Sequence, residues 1–333
     1  GSEMCIRDSI LKAIAVDNNH LVWRDYADPD LGVGAVEIAV KASAVNRADL
    51  MQRKGAYPPP PGASEILGLE CAGEVTRVGE GVERCKPGDP VCALLAGGGY
   101  AEKVVVPAGQ VLPVPTGLSY VEAASLPEVY ATAYLNLYLE GELEREEKVI
   151  LHAGGSGVGT AAIQLLAQSD NPCFVTVGNQ SKLDSCMKLG AESGCIRHSG
   201  SFVESAQAWS GSNGVDMILD PVGAEYLASN IELLSQNGRL VFIGLMGGAR
   251  AEINLAALLG KRLKLIGSTL RSRSISEKAQ VMDALSNWVW PHLEDGLIKP
   301  IIEAVIPIEN AQDAHDLVES NDTFGKVVLS VGV

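Results

Sequence analysis

"KVILHAGGSGVGTAAIQLLAQ", residues Lys148 to Gln168, decides the fold. An apolar run closes at Leu151, glycines follow at 154, 157 and 159, and Ala162, Ile163 and Leu166 then fall on one face at helical spacing. Strand, glycine turn and helix form the opening of a βαβ unit. Such a turn lets backbone approach a pyrophosphate, and the helix N-terminus aims N–H groups and a partial positive charge at it. The middle glycine of the usual G-x-G-x-x-G is Ser156 here, a departure from the pattern. Gly154, Ser156, Gly157, Val158 and Gly159 are therefore the expected dinucleotide contacts.

Outward from this turn, short apolar strands alternate with helical segments: "CFVTV" at 173–177, "VDMILD" at 215–220, "RLVFIG" at 239–244 and "RLKLIGS" at 262–268. They lack polar alternation, as parallel strands buried on both faces should. The second half of the chain thus reads as a doubly wound parallel sheet. From Leu11 to Pro115 the pattern differs. Val36, Ile38, Val40 and Ala42 alternate along one strand, Glu70–Val78 reads as another, "KPGDPV" at 86–91 is a turn before a third, and "GGGYAEKVVVP" is a flexible loop leading into a fourth. That half is mainly β. After Ser276 a helix runs toward Asp295, and the tail from Ile301 reads as strand, helix, strand. The tail is too short to stand alone and is assigned back to the first domain.

The second strand of the sheet indicates which dinucleotide is bound. NAD binders carry an acid at its end, on the ribose 2′-OH. Here "VTVGNQSKLDS" places Gly178 in that slot, followed by Asn179, Ser181 and Lys182, with Arg197 at the end of the next strand. Loss of the carboxylate and gain of cations suit a 2′-phosphate and favour NADPH. The alternative for Lys182 is a solvated helix residue.

Bulk properties narrow the rest. The chain has 333 residues and a net charge of −15, which disfavours nucleic acid and anionic membranes as partners. Seven cysteines, with no C-x-x-C pair, read as free thiols of a reducing, cytoplasmic compartment. The first residues show no basic-then-apolar signal segment, and the long uncharged run Val149–Asn171, interrupted by Asp170, reads as strand, turn and buried helix.

The stretches "NRADLMQRKGAYPPPPGAS", "LLAGGGYAE", "HAGGSGVGTAAIQL", "IGLMGG" and "TLRSR" are similar to those of the medium-chain dehydrogenase/reductase superfamily, specifically its zinc-free, zeta-crystallin-like quinone oxidoreductases. The resemblance runs from about residue 11 to the end. It implies a GroES-like catalytic domain over 10–124 and 296–333 and a Rossmann cofactor domain over 125–295. The superfamily's zinc enzymes ligate metal with Cys, His and Cys; here Asn46, Leu69 and Glu128 fall in or near those slots. A leucine cannot ligate and a neutral Asn is a poor zinc ligand, so no metal is expected.

The resemblance points to Asn46 and Tyr57 as catalytic hydrogen-bond donors. They would stabilise charge on the oxygen of a quinone held between the domains as it receives hydride. Asn46 could instead cap a turn and Tyr57 only line a cleft. Thr132, the strand end Gly244, Leu245 and Met246, and Arg271, Arg273, Gly325 and Lys326 are candidate cofactor contacts, with the subunit boundary as the alternative for Arg271 and Arg273. Asp49 and Arg53 read as structural partners, Glu70 as ordering the site or pairing with a cation, and His152 as a satisfied core residue. The last Rossmann strand, "KRLKLIGSTL", is the expected homodimer edge. The alternative activity is reduction of activated C=C bonds in enones or enoyl thioesters. A crystallin-like structural or RNA-binding role is a remote third.

Overall fold

The computed structural model describes residues 10–332. The expectations for the N-terminal segment and for Cys5 lie outside the described residues. The chain through Glu128 together with the part from Arg271 onward forms one compact unit, and Val129–Leu270 forms another.

The first unit carries β1 (Ile10–Asp17), β2 (His20–Ala27), β3 (Ala35–Ala44), β4 (Glu70–Val78), β5 (Pro90–Leu94), β6 (Lys103–Pro107) and β7 (Val111–Pro113). β3 is its central strand, antiparallel to β4 and β6. The expected alternation holds for Val36, Ile38, Val40 and Ala42, all buried, but Glu37 is buried as well. Its carboxylate is satisfied across the ladder, accepting from Thr76 Oγ1 at 2.6 Å and Arg77 Nε at 3.0 Å, which is the condition for burying a charge. The loop at Gly97–Gly99, expected to be flexible, is pinned. Gly98 N donates to Ile66 O, Gly99 N to Gly68 O and Tyr100 N to Leu67 O, at 2.8 to 3.1 Å.

The second unit is a six-stranded sheet of β8 (Val149–His152), β9 (Cys173–Val177), β10 (Ser193–Ile196), β11 (Val215–Asp220), β12 (Leu234–Phe242) and β13 (Lys264–Gly267), in the order β10-β9-β8-β11-β12-β13. Every pairing is parallel. This is the doubly wound order of a Rossmann domain, with the switch point at β8. β8 and β9 are buried throughout, whereas the edge strands β10 and β13 are only partly covered. β13, the expected dimer edge, pairs with β12 alone among the described residues.

The tail forms β14 (Ile302–Pro307) and β15 (Lys326–Ser330). β15 pairs antiparallel with β3, so the tail returns to the first unit as expected. The long helix Ile275–Glu294, expected in the Rossmann domain, instead belongs to the first unit. Trp290 Nε1 donates to Pro113 O at 2.8 Å, Arg84 pairs with Asp283 at 2.8 Å, and Leu285 and Val289 are fully buried. Residues 125–128 likewise fall in the first unit. Among the described residues no helix is long and apolar enough to cross a membrane.

Candidate active site

In the second unit the glycine turn is built as the sequence requires. A Cβ at Gly154 would lie 2.8 Å from the Val175 side chain, and one at Gly159 would lie 2.5 Å from Ala153 O, so neither position admits a side chain. Ser156 is the N-cap of the helix Gly157–Gln168, and its Oγ accepts from Gly159 N at 3.1 Å. The serine that departs from the glycine pattern thus supplies a cap, which ties down the turn that Gly157 and Val158 continue. Thr160 Oγ1 donates to Gly157 O at 3.0 Å.

Gly178 lies one residue beyond β9. A Cβ there would meet nothing within 4 Å, so a side chain would fit; packing does not explain the missing carboxylate. Asn179 caps the next helix, its Oδ1 accepting from Lys182 N at 2.9 Å. Arg197 N donates to Val177 O at 2.9 Å, which sets Arg197 beside Gly178 at the carboxyl end of the sheet. Its exposed guanidinium donates through Nε to His198 Nε2 at 2.9 Å. Gly178, Asn179, Lys182 and Arg197 are therefore brought together.

At the end of β12, the loop with Gly244 is held by Met246 N to Pro221 O at 3.1 Å and Gly247 N to Val222 O at 2.7 Å. Leu245 and Met246 stand 56% and 54% exposed, so neither is core. Thr132 lies inside the helix Pro127–Tyr134 and is half-buried. His152 is a core residue, as expected: Nδ1 meets Thr176 Oγ1 at 3.0 Å, Nε2 meets Asn230 Oδ1 at 2.8 Å, and burial pushes its pKa down to about 4.

In the first unit, Asn46 is the N-cap residue of the helix Arg47–Arg53, and its backbone N donates to Asp49 Oδ2 at 2.8 Å. Its side chain, however, faces an ion pair. Lys326 Nζ lies 2.7 Å from Asn46 Oδ1 and 2.7 Å from Glu70 Oε1, while Asn46 Nδ2 donates to Glu70 Oε1 at 2.9 Å. The second Nδ2 hydrogen has only Ala44 O, at 3.3 Å. Lys326 Nζ also donates to Val45 O at 2.8 Å. An ammonium has three hydrogens, so those of Lys326, a candidate cofactor contact, are all engaged within the first unit. Glu70 pairs with a cation, as anticipated.

Arg271, another candidate cofactor contact, is likewise engaged within the first unit. Its guanidinium is 3% exposed and donates to Ala96 O at 2.8 Å, to Gln52 Oε1 at 2.6 Å and to Tyr57 O at 3.5 Å. It also lies 5.4 Å from the centre of the Tyr57 ring. It anchors the Tyr57 loop. The Tyr57 side chain is half-buried, and burial pushes its pKa up, so its hydroxyl is a protonated donor at neutral pH. Arg53 ties to Glu319 at 3.1 Å, and Asp49 accepts from Gly68 N at 2.9 Å, both structural roles as expected. Arg273, just before the helix Ile275–Glu294, pairs with Glu277 in its first turn at 3.4 Å.

Sequence reasoning missed two features here. One is the closure of Lys326 onto Asn46, for which a lysine at the start of a strand gives no local signal. The other is Glu128, whose backbone N donates to Glu70 Oε2 at 2.9 Å and whose Oε2 is buried without a hydrogen-bond partner.

Comparison with known proteins follows this geometry. A family model for the alcohol dehydrogenase GroES-like domain matches residues 32–116, and one for zinc-binding dehydrogenase matches residues 157–287. The human synaptic vesicle membrane protein VAT-1 homolog is 30% identical over 330 residues, covering 95% of this chain and 84% of its own. Mouse quinone oxidoreductase is 30% identical over 298 residues, 88% of each chain. Among solved structures, Escherichia coli quinone oxidoreductase complexed with NADPH aligns with a TM-score of 0.84 at 27% identity, covering 96% of this chain and 99% of that one. CurK enoyl reductase aligns at 0.82 and 25% identity, covering 97% and 99%. The chain belongs to the medium-chain dehydrogenase/reductase superfamily, with a GroES-like domain and a Rossmann domain, and it is an oxidoreductase.

The family's name implies zinc, and the residues here do not fit it. Lys326 sets a positive charge 2.7 Å from Asn46 Oδ1 in the first ligand slot, and Leu69 in the second is buried and apolar. Among the described residues, no three His, Cys, Asp or Glu side chains converge as a metal-ligating group. The nicotinamide dinucleotide that the fold implies does fit the glycine turn, which leads into the N-terminus of the helix Gly157–Gln168 with no side chain at 154, 157 or 159.

Proposed function

We propose that this protein is an NADPH-dependent quinone reductase that works without metal. The observation that carries the reading is the locked amide of Asn46. Lys326 and Glu70 grip its two ends, so that the second Nδ2 hydrogen, held by the longer 3.3 Å bond to Ala44 O, is the donor that an acceptor oxygen would take over. The dinucleotide, when bound, supplies hydride. Gly154, Ser156, Gly157, Val158 and Gly159 hold its pyrophosphate, and Lys182 and Arg197 meet the 2′-phosphate beside the open space at Gly178. Asn46 Nδ2 and the Tyr57 hydroxyl then stabilise negative charge on the acceptor oxygen. A quinone is electrophilic enough for two fixed neutral donors to serve where a simple ketone would need a Lewis acid.

The likeness to CurK enoyl reductase favours a second reading, reduction of an activated C=C bond, in which the same donors would meet an enolate oxygen. Initial rates of NADPH oxidation with a naphthoquinone, an enone and an aldehyde separate the two. A higher kcat/KM for the quinone is expected; a higher value for the enone would move the assignment to C=C reduction.

A further inference from the structure

We propose that Glu128 is a catalytic proton donor, its unpartnered Oε2 protonating the oxygen of the reduced acceptor. This rests on the hydride-transfer reading above and completes its proton balance. Glu70 already accepts from Lys326 Nζ at 2.7 Å, Asn46 Nδ2 at 2.9 Å and Glu128 N at 2.9 Å. The first carboxylate of the pair therefore takes the available donors, and the second has a buried oxygen with none. Two carboxyls in one site cannot both carry charge cheaply, and the one without donors keeps its proton. The groups around Glu128 are Glu70 on β4, Asp49 in the helix Arg47–Arg53, Lys326 on β15, Arg271, Tyr57 and Lys278. Burial, then the Glu70 charge, pushes its pKa up to about 8, against the pull of Lys326 and Arg271. A carboxyl so poised is protonated at neutral pH and can still release its proton, as a general acid must.

The step balances. The acceptor takes up a hydride, two electrons with one hydrogen, and the dinucleotide is oxidised by the same two electrons. The charged acceptor oxygen gains an O–H bond as the O–H bond of Glu128 breaks, leaving a carboxylate. The carboxylate left on Glu128 takes a proton from solvent before the next turnover.

Two measurements test this. In pH-difference infrared spectra of the resting protein, a neutral carboxyl band should vanish with a midpoint near pH 8 and be missing from Glu128→Gln. In turnover, E128Q should lower kcat by roughly a hundredfold or more and lose the wild-type fall in rate as pH rises through about 8, while NADPH binding, followed by fluorescence, stays unchanged. Should E128Q fail to fold, the wild-type infrared band and the alkaline limb still decide the matter. An ionised Glu128 at pH 7, or an E128Q enzyme with wild-type kcat and pH profile, overturns the proposal while leaving quinone reduction intact. A folded wild type inactive toward every acceptor overturns the hydride-transfer reading, and proton donation with it.

Discussion

Lys326 Nζ lies 2.7 Å from Glu70 Oε1 and 2.7 Å from Asn46 Oδ1, with Lys326 and Glu70 only 4% and 0% exposed. A lysine on the penultimate stretch of chain thus reaches a loop and a strand of the N-terminal half, bringing a charge pair and an amide into one hydrogen-bonded unit.

Breaking that unit on one side should be costly. Lys326→Met leaves Glu70 buried without its cation, and the loss should be about 3–5 kcal/mol of unfolding free energy. The double variant Lys326→Met with Glu70→Gln should recover much of it, since no uncompensated charge remains. Urea denaturation of the three proteins measures this. A single variant as stable as wild type would mean that the pair is not formed.

Tyr57→Phe removes one hydroxyl and keeps the ring beneath Arg271. Turnover should fall on the order of tenfold to a thousandfold, with little change in NADPH affinity or melting temperature. Steady-state kinetics in both substrates decide it; unchanged kcat would remove Tyr57 from the mechanism.

Coenzyme choice should follow the space beside Gly178. Gly178→Asp places a carboxylate where nothing lies within 4 Å and should shift the preference toward NADH. Arg197→Ala and Lys182→Ala should each weaken NADPH selectively, by roughly tenfold or more if each makes a charge-assisted phosphate contact worth about 1.5–3 kcal/mol. The ratio of kcat/KM for the two coenzymes reports this. A Gly178→Asp enzyme still selective for NADPH would contradict the assignment.

Two buried histidines set an acid limit. Burial lowers His152 to about 4 and His315 to about 3, against an ordinary value near 6.5. Their depressed values mean that the unfolded chain binds these protons first. The stability they contribute is present above about pH 6.5 and is lost as pH falls toward 4. Imidazole NMR at pH 5 should find both rings neutral; a titration near 6.5 for either would show that it is not buried as described.

Much of this molecule was legible in the sequence because its signals are local. Continuous apolar runs marked β8, β9 and β11, and period-two alternation marked β3. A glycine turn between strand and helix announced the dinucleotide cradle. Even the Ser156 departure has a local cause, the cap on Gly159 N. What was not legible depends on contacts far apart in the chain. The partners of Lys326 and Arg271 were among these, because a cation in a loop or at a strand end gives no sign of what it will meet, here Asn46 and Glu70 for one, Gln52 and Ala96 for the other. The helix Ile275–Glu294 was placed with the sheet it follows, yet Trp290 bonds Pro113 and joins it to the first unit. The unpartnered oxygen of Glu128 is likewise a product of packing and not of spacing.

The central claim is that side-chain donors, held by a lysine–glutamate pair, do the work of a metal. Turnover with NADPH and a naphthoquinone, measured beside metal analysis before and after exhaustive chelation, tests it most directly. The account predicts substoichiometric zinc and an unchanged kcat/KM. One zinc per chain, with activity lost on its removal and restored on its return, would contradict it.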